Sequence, residues 1–201
     1  MSRRDVLCGL LAYSLATCFR VPASSADEKP VDYFPVGALH ERADLDRLLR
    51  EWFSKHLLAL QEPNLFPAES GREVYRFTWL RSSHNPMTFR LAVASSGTGI
   101  INVKRANGRG GYEPGEIDLN IDIAVSKPRV TALKRELGNM GFWQKSSWLD
   151  NMSLDGARWI VETDAEGIYK IVHRSSGSDR ELQDWCMSLI ALSGIDVGDI
   201  Y

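Results

Sequence analysis

Residues 154–174 read LDGARWIVETDAEGIYKIVHR, two alternating apolar runs joined by an acidic stretch that closes on glycine. Ala157, Trp159 and Val161 fall on one face of the first run, and Arg158, Ile160 and Glu162 on the other. In the second run Ile168, Lys170 and Val172 oppose Tyr169, Ile171 and His173. A period of two in β-branched and aromatic residues is the signature of half-buried strands, so the stretch predicts a β-hairpin. Thr163 to Gly167 reads as a five-residue turn, with Gly167 free to take a positive φ, and Asp155-Gly156 as a second turn at the hairpin's entry. Trp159 and Tyr169 read as a cross-strand aromatic pair, a contact worth ~0.2–1 kcal/mol, and that face needs a covering layer.

Upstream of the hairpin the period changes. Leu45, Leu48, Leu49, Trp52, Phe53, His56, Leu57 and Leu60 recur at three and four, which predicts a helix within Leu39 to Leu60, ended by the proline-bearing segment Gln61 to Gly71. Val74 to Leu80, Met87 to Ala94 and Ile100 to Lys104 read as three strands of a meander. The glycine-rich Ala106 to Gly115 reads as the most flexible loop. Glu116 to Val125 alternates without a fault and predicts a strand with one acidic, wet face. Ser126 and Pro128 then open a second helix, stopped at Gly138 and Gly141. Downstream of the hairpin, Ser178 or Asp179 caps a final helix that ends at Gly194. The expected fold is α+β, a mostly antiparallel sheet of about five to six strands covered on one side by two to three helices. It forms a single domain over 39–201, preceded by an extended lead-in over 27–38 that Tyr33, Phe34 and Val36 pin to its surface.

The first 26 residues read as an export signal. Arg3-Arg4 is basic, Val6 to Phe19 is apolar, and Ala23 to Ala26 offers a small-residue cleavage site. SRRDVL is similar to the twin-arginine form of such signals, with Val6 and Cys8 departing from it. Cys18, preceded by Thr17, is the alternative lipidation point. The apolar run is shorter than the roughly 20 residues of a bilayer crossing, so no stable membrane span is expected after cleavage. Cleavage removes Cys8 and Cys18 and leaves Cys186 alone, without an internal disulfide. The formal net charge is −2, and a mildly acidic chain has no electrostatic footprint for nucleic acid.

Trp148, Asp155-Gly156-Ala157, Trp159, Glu162, Tyr169 and Arg174 resemble a pattern found in a family of small uncharacterised bacterial proteins. In that pattern a Trp precedes Asp-Gly-Ala-x-Trp-x-x-Glu, then a Tyr-bearing strand ending in Arg and a terminal helix. Members often follow the Arg with a Ser-Pro turn, where this chain has Ser175-Ser176-Gly177. The resemblance spans about the last 60 residues and implies no activity, cofactor or partner.

The strand face Glu116, Asp118, Asn120 and Asp122 offers oxygen ligands, but neighbours on one face lie nearly 7 Å apart at a rise of ~3.4 Å per residue, so it reads as a solvated face. His40, His56, His84 and His173 lack metal-ligand spacing, and His56 reads as a partly buried residue at the sheet edge. His173, Glu162 and Asp155 are positioned to meet across the hairpin, with Arg174 beside them as an anion holder, either as an acid/base group or as a structural cluster. Glu162 and Arg174 also read as a cross-strand ion pair. Cys186 reads as a core thiol, and the glycine-rich stretches lack the following helix of a phosphate cradle. Neither metal nor cofactor is implied. Two functions remain. One is an exported binding protein for an unknown protein or small ligand, using Asp118 and Asp122 with Arg109 and Tyr112 of the mobile loop. The other is a small exported hydrolase using Glu162, His173 and Arg174.

Overall fold

The computed structural model describes residues 32–149 and 156–201. Six strands run in the order β1 (Val74–Arg81), β2 (Met87–Val93), β3 (Gly99–Ala106), β4 (Ile117–Val125), β5 (Ala157–Ala165) and β6 (Ile168–Ser175). They form one antiparallel sheet, ordered β4-β3-β2-β1-β5-β6. Three helices pack on it, α1 (Ala43–Ala59), α2 (Lys127–Asn139) and α3 (Arg180–Ser193). The chain is therefore the α+β fold expected from its alternating periods. The export signal lies outside the described residues, and among those described no helix is long and apolar enough to cross a membrane.

The helices do not all lie on one side, as the sequence suggested. Tyr75, Phe77, Trp79, Phe89, Trp159, Val161 and Val172 bury one sheet face beneath α2 and α3. Leu80, Ile160 and Ile171 bury the other beneath Leu49, Phe53 and Leu57 of α1 and Tyr33 and Phe34 of the lead-in. A strand apolar at both parities needs a cover on both faces, and the order of helices along the chain does not reveal which takes which. Val36, expected to pin the lead-in, is 83% exposed instead. Stacked and tilted rings carry the first core, with Phe77 5.2 Å from Trp159 and Trp79 5.0 Å from the same indole.

The hairpin differs from expectation in its turn. Ala165 pairs with Ile168, leaving only Glu166 and Gly167 between the strands, at φ 57° and 74°. Two successive positive φ values make a type I′ turn, whose twist matches the flanking strands. A five-residue turn would pair Glu162 with Ile168 and set Trp159 and Tyr169 on one face. The observed register pairs Trp159 with Arg174 and Tyr169 with Asp164, which sends the two rings to opposite faces. An odd change in register moves every side chain of one strand across the sheet, so one misread turn inverts the assignment of β6. Glu166 holds a conformation unfavourable to a β-carbon. Glu166→Asn is expected to raise stability by on the order of 1 kcal/mol, seen as a higher thermal midpoint.

Of the three helices, α3 alone has both a side-chain cap and a left-handed glycine at its end. Asp179 accepts from the backbone N–H of Leu182 at 3.1 Å at the start of α3, and Gly194 closes that helix at φ 65°. Ser126 occupies the cap position of α2, but its side chain makes no capping bond.

Candidate functional site

Where α1 runs out, the chain crosses the sheet as the segment 60–72, and the sheet face beneath it is polar. Register brings Asp122, Asn102, Arg90, Arg76 and Glu162 side by side across β4, β3, β2, β1 and β5. Each comes from a strand whose other parity feeds the aromatic core, so alternation alone turns these groups toward α1.

The side chains join end to end. Asn102 donates to Asp122 at 2.8 Å, and Arg90 donates to Asn102 at 3.3 Å and to Glu62 at 2.9 Å. Glu62 also meets Lys104 at 3.1 Å and Arg76 at 3.6 Å. Arg76 donates twice to one oxygen of Glu162, at 3.0 and 2.6 Å, and the Tyr169 hydroxyl donates to the other at 2.9 Å. Arg76, Glu62 and Glu162 have fully buried side chains. Burial pushes the Glu162 carboxyl above its ordinary range, and the Arg76 guanidinium opposes that push. The cations also hold carbonyls of the crossing segment: Lys104 bonds Gln61, Arg76 bonds Pro63, and Arg72 bonds Leu65 and Pro67. Arg72 in turn pairs with the buried Asp164.

This network was not read from the sequence. Glu62 fell in the segment that ends the first helix, and Arg76 and Arg90 fell in two meander strands with no role assigned to them. The available signal was their shared parity, each flanked by residues of the core face.

Glu162, His173 and Arg174 are not brought together. His173 lies opposite Ile160 and bonds the carbonyl of Leu39 at 2.8 Å, whereas Glu162 lies opposite Ile171. A carbonyl only accepts, so His173 Nε2 carries the proton, and its other ring nitrogen is buried without a partner. Burial lowers the His173 pKa to about 4, against the favourable Leu39 contact. Arg174 lies opposite Trp159, on the other face, so the expected pair with Glu162 does not form. Its guanidinium bonds Asp179 at 3.2 Å and the carbonyls of Ser146 and Ser147 at 2.9 and 3.3 Å. Asp155, the third member of that expected cluster, lies outside the described residues.

The pattern that carried the family resemblance is thus a set of fold positions. Gly156 takes φ 106°, Ala157 and Trp159 fill the core, and Tyr169 satisfies Glu162. Arg174 ties down the segment beside β6, and Trp148 stacks on His40 at 4.1 Å between centroids.

Arg109, Tyr112, Asp118 and Asp122 all lie on the open surface, with Tyr112 65% exposed. Asp118 pairs with Arg105 at 2.9 Å, and Asp122 ends the buried row. The loop that carries Arg109 and Tyr112 is held more firmly than its glycines suggested. Gly110 N–H donates to His84 and Gly111 N–H to Ser82, and the Trp52 indole donates to Gly110 at 2.8 Å. A β-carbon on Gly110 would lie 2.7 Å from backbone atoms of Arg81, so this glycine serves close packing rather than motion. His56, expected at a sheet edge, is fully buried within α1, and burial lowers its pKa to about 4.

Trp159, Trp185 and Cys186 fill the core, and burial pushes the Cys186 thiol well up. Among the described residues no three His, Cys, Asp or Glu side chains are grouped to hold a metal ion. The arrangement as a whole sets ionised groups in the interior and leaves polar and aromatic groups of β4 and its loop open to a partner. The chain matches no protein-family model, and no curated protein sequence matches it.

Proposed function

We propose that the chain is an exported bacterial protein, periplasmic or held at the envelope, that acts by binding a protein or small ligand rather than by catalysis. Its recognition surface is the outward face of β4 and the loop before it, with Arg109, Tyr112, Asp118 and Asp122 as contacts. The observation that carries this reading is the division of charge. Glu162, His173 and Arg174 are buried and held by three separate sets of internal partners, while these four residues are exposed on a well-braced loop and strand. An exposed Tyr beside an Arg is the kind of group that anchors an interface.

The test is a photo-crosslinking residue placed at Tyr112 or Asp118, with Leu48 on α1, 54% exposed, as the control position. Expressed in a bacterial host, the first two are expected to give one discrete adduct and the third none. Equal labelling from all three, or none from any, sinks the reading. Intact mass of the recovered protein is expected to place its N-terminus at Asp27.

A further inference from the structure

The two outer strands of the sheet are treated differently. Alongside β6 runs the chain's own segment around Ser147, whose carbonyl accepts from His173 N–H at 2.8 Å, while Lys170 and Arg174 bond the carbonyls of Lys145 and Ser146. No such cover lies along β4 among the described residues, where β3 is its one hydrogen-bonded neighbour. Strand edges of this kind are commonly blunted by Lys, Pro, a bulge or shortness. β4 is nine residues long and reads IDLNIDIAV, with neither Lys nor Pro, and its one bulge, at Asp118, leaves Leu119 to Val125 regular. Its apolar parity is also incompletely buried: Leu119 and Ile123 are half-buried and Ile121 is 36% exposed.

The sequence of β4 is close to self-complementary. An antiparallel copy placed with Ile121 on the two-fold axis would pair the regular stretch from Leu119 to Ile123. Leu119 then meets Ile123 and Ile121 meets itself on one face, while Asn120 meets Asp122 on the other. No carboxylate stands opposite another. Centring instead on Asn120 sets Asp118 against Asp122, and centring on Asp122 sets that carboxylate against itself, both of which repel. Registers centred between residues set the apolar face against the acidic one. Of the registers centred on Asn120, Ile121 and Asp122, the second alone therefore joins apolar to apolar without like charges in contact.

We infer that β4 is the seat of a symmetric homodimer, in which a second copy of this chain adds its own β4 antiparallel about Ile121 to make a continuous twelve-stranded sheet. The interface is isologous, and the backbone groups of both edges supply hydrogen bonds that need no new side chain. It goes beyond the binding reading above and stands without it, since pairing uses the backbone edge and apolar parity of β4 rather than Arg109, Tyr112 or the carboxylates.

Sedimentation equilibrium of the full chain, from about 1 μM to about 1 mM, covers the affinity expected of a contact smaller than a standard interface. The mass is expected to rise toward twice that of one chain. Ile121→Lys, which sets two ammonium groups together on the axis, is expected to abolish that rise. Ile168→Lys, at the far edge of the sheet and 55% exposed in the parent chain, is expected to leave it unchanged. Circular dichroism on both variants reports that the fold is retained. A parent chain of single mass at every concentration overturns the inference, and so does a dimer that survives Ile121→Lys. Crosslinking from Tyr112 in a chain that stays monomeric would uphold the binding reading while this one fails, so the two are separable.

Discussion

Arg76→Met is expected to lower the unfolding free energy by ~3–5 kcal/mol, because it strands Glu162, a carboxylate with a fully buried side chain, and takes one cation from Glu62. The loss comes from the lone charge left behind, more than from the bond that disappears. A double variant, Arg76→Met with Glu162→Gln, removes both charges and keeps an acceptor for the Tyr169 hydroxyl, which donates to Glu162 at 2.9 Å. It is expected to recover at least about half of the single variant's loss, since replacing a whole buried pair costs far less than breaking it. Chemical denaturation of the parent, both single variants and the double variant closes the cycle, provided the slope with denaturant is constant. Additive losses in the double variant would show that the pair is not coupled.

Acid is expected to destabilise the fold through two buried histidines. Burial lowers both His56 and His173 to about 4 in the folded chain, against an ordinary 6.5. The unfolded chain therefore takes up protons first as pH falls, so stability is fully present above pH 6.5 and is lost toward pH 4. Each histidine contributes on the order of 3 kcal/mol across that window, among the larger effects open to a single group. Asp46 and Asp179 titrate lower still, because backbone N–H groups and neighbouring cations outweigh the upward push of burial. Denaturation midpoints at pH 7 and pH 4.5 measure the change, and His56→Leu is expected to remove about half of the histidine share. An unchanged difference between the two pH values in that variant would mean that His56 does not sit neutral in the interior.

Strand and helix periods were legible because alternation and three-four spacing are local, and each run carries its own evidence. The face that each strand of the hairpin presents was not legible. It depends on whether the turn holds five residues or two, and Glu166 at positive φ is a choice that propensity argues against. The position of α1 went unread for a related reason: Leu80, Ile160 and Ile171 had to be placed on one parity before a second apolar face existed to be covered. The buried row was least accessible of all. Arg76 and Glu162 are 86 positions apart, Arg90 and Glu62 are 28 apart, and no local spacing links them. The exposed candidates, Arg109, Tyr112, Asp118 and Asp122, were found by composition and loop position alone. All four are exposed in the fold, and the loop expected to be mobile is braced.

The charged row also determines how the nascent chain must find its partners. If β1 slid past β5 by two residues in either direction, Arg76 would face Ile160 or Asp164, and Glu162 would face Val74 or Thr78 respectively. The first slip strands a guanidinium among aliphatic groups, and the second crowds it onto the carboxylate that Arg72 already holds. Aromatic and aliphatic neighbours tolerate such errors, for one greasy contact resembles another. The ionised residues thus act as an alignment key, admitting one pairing of the central strands and rejecting its nearest rivals before the core can close over a mistake.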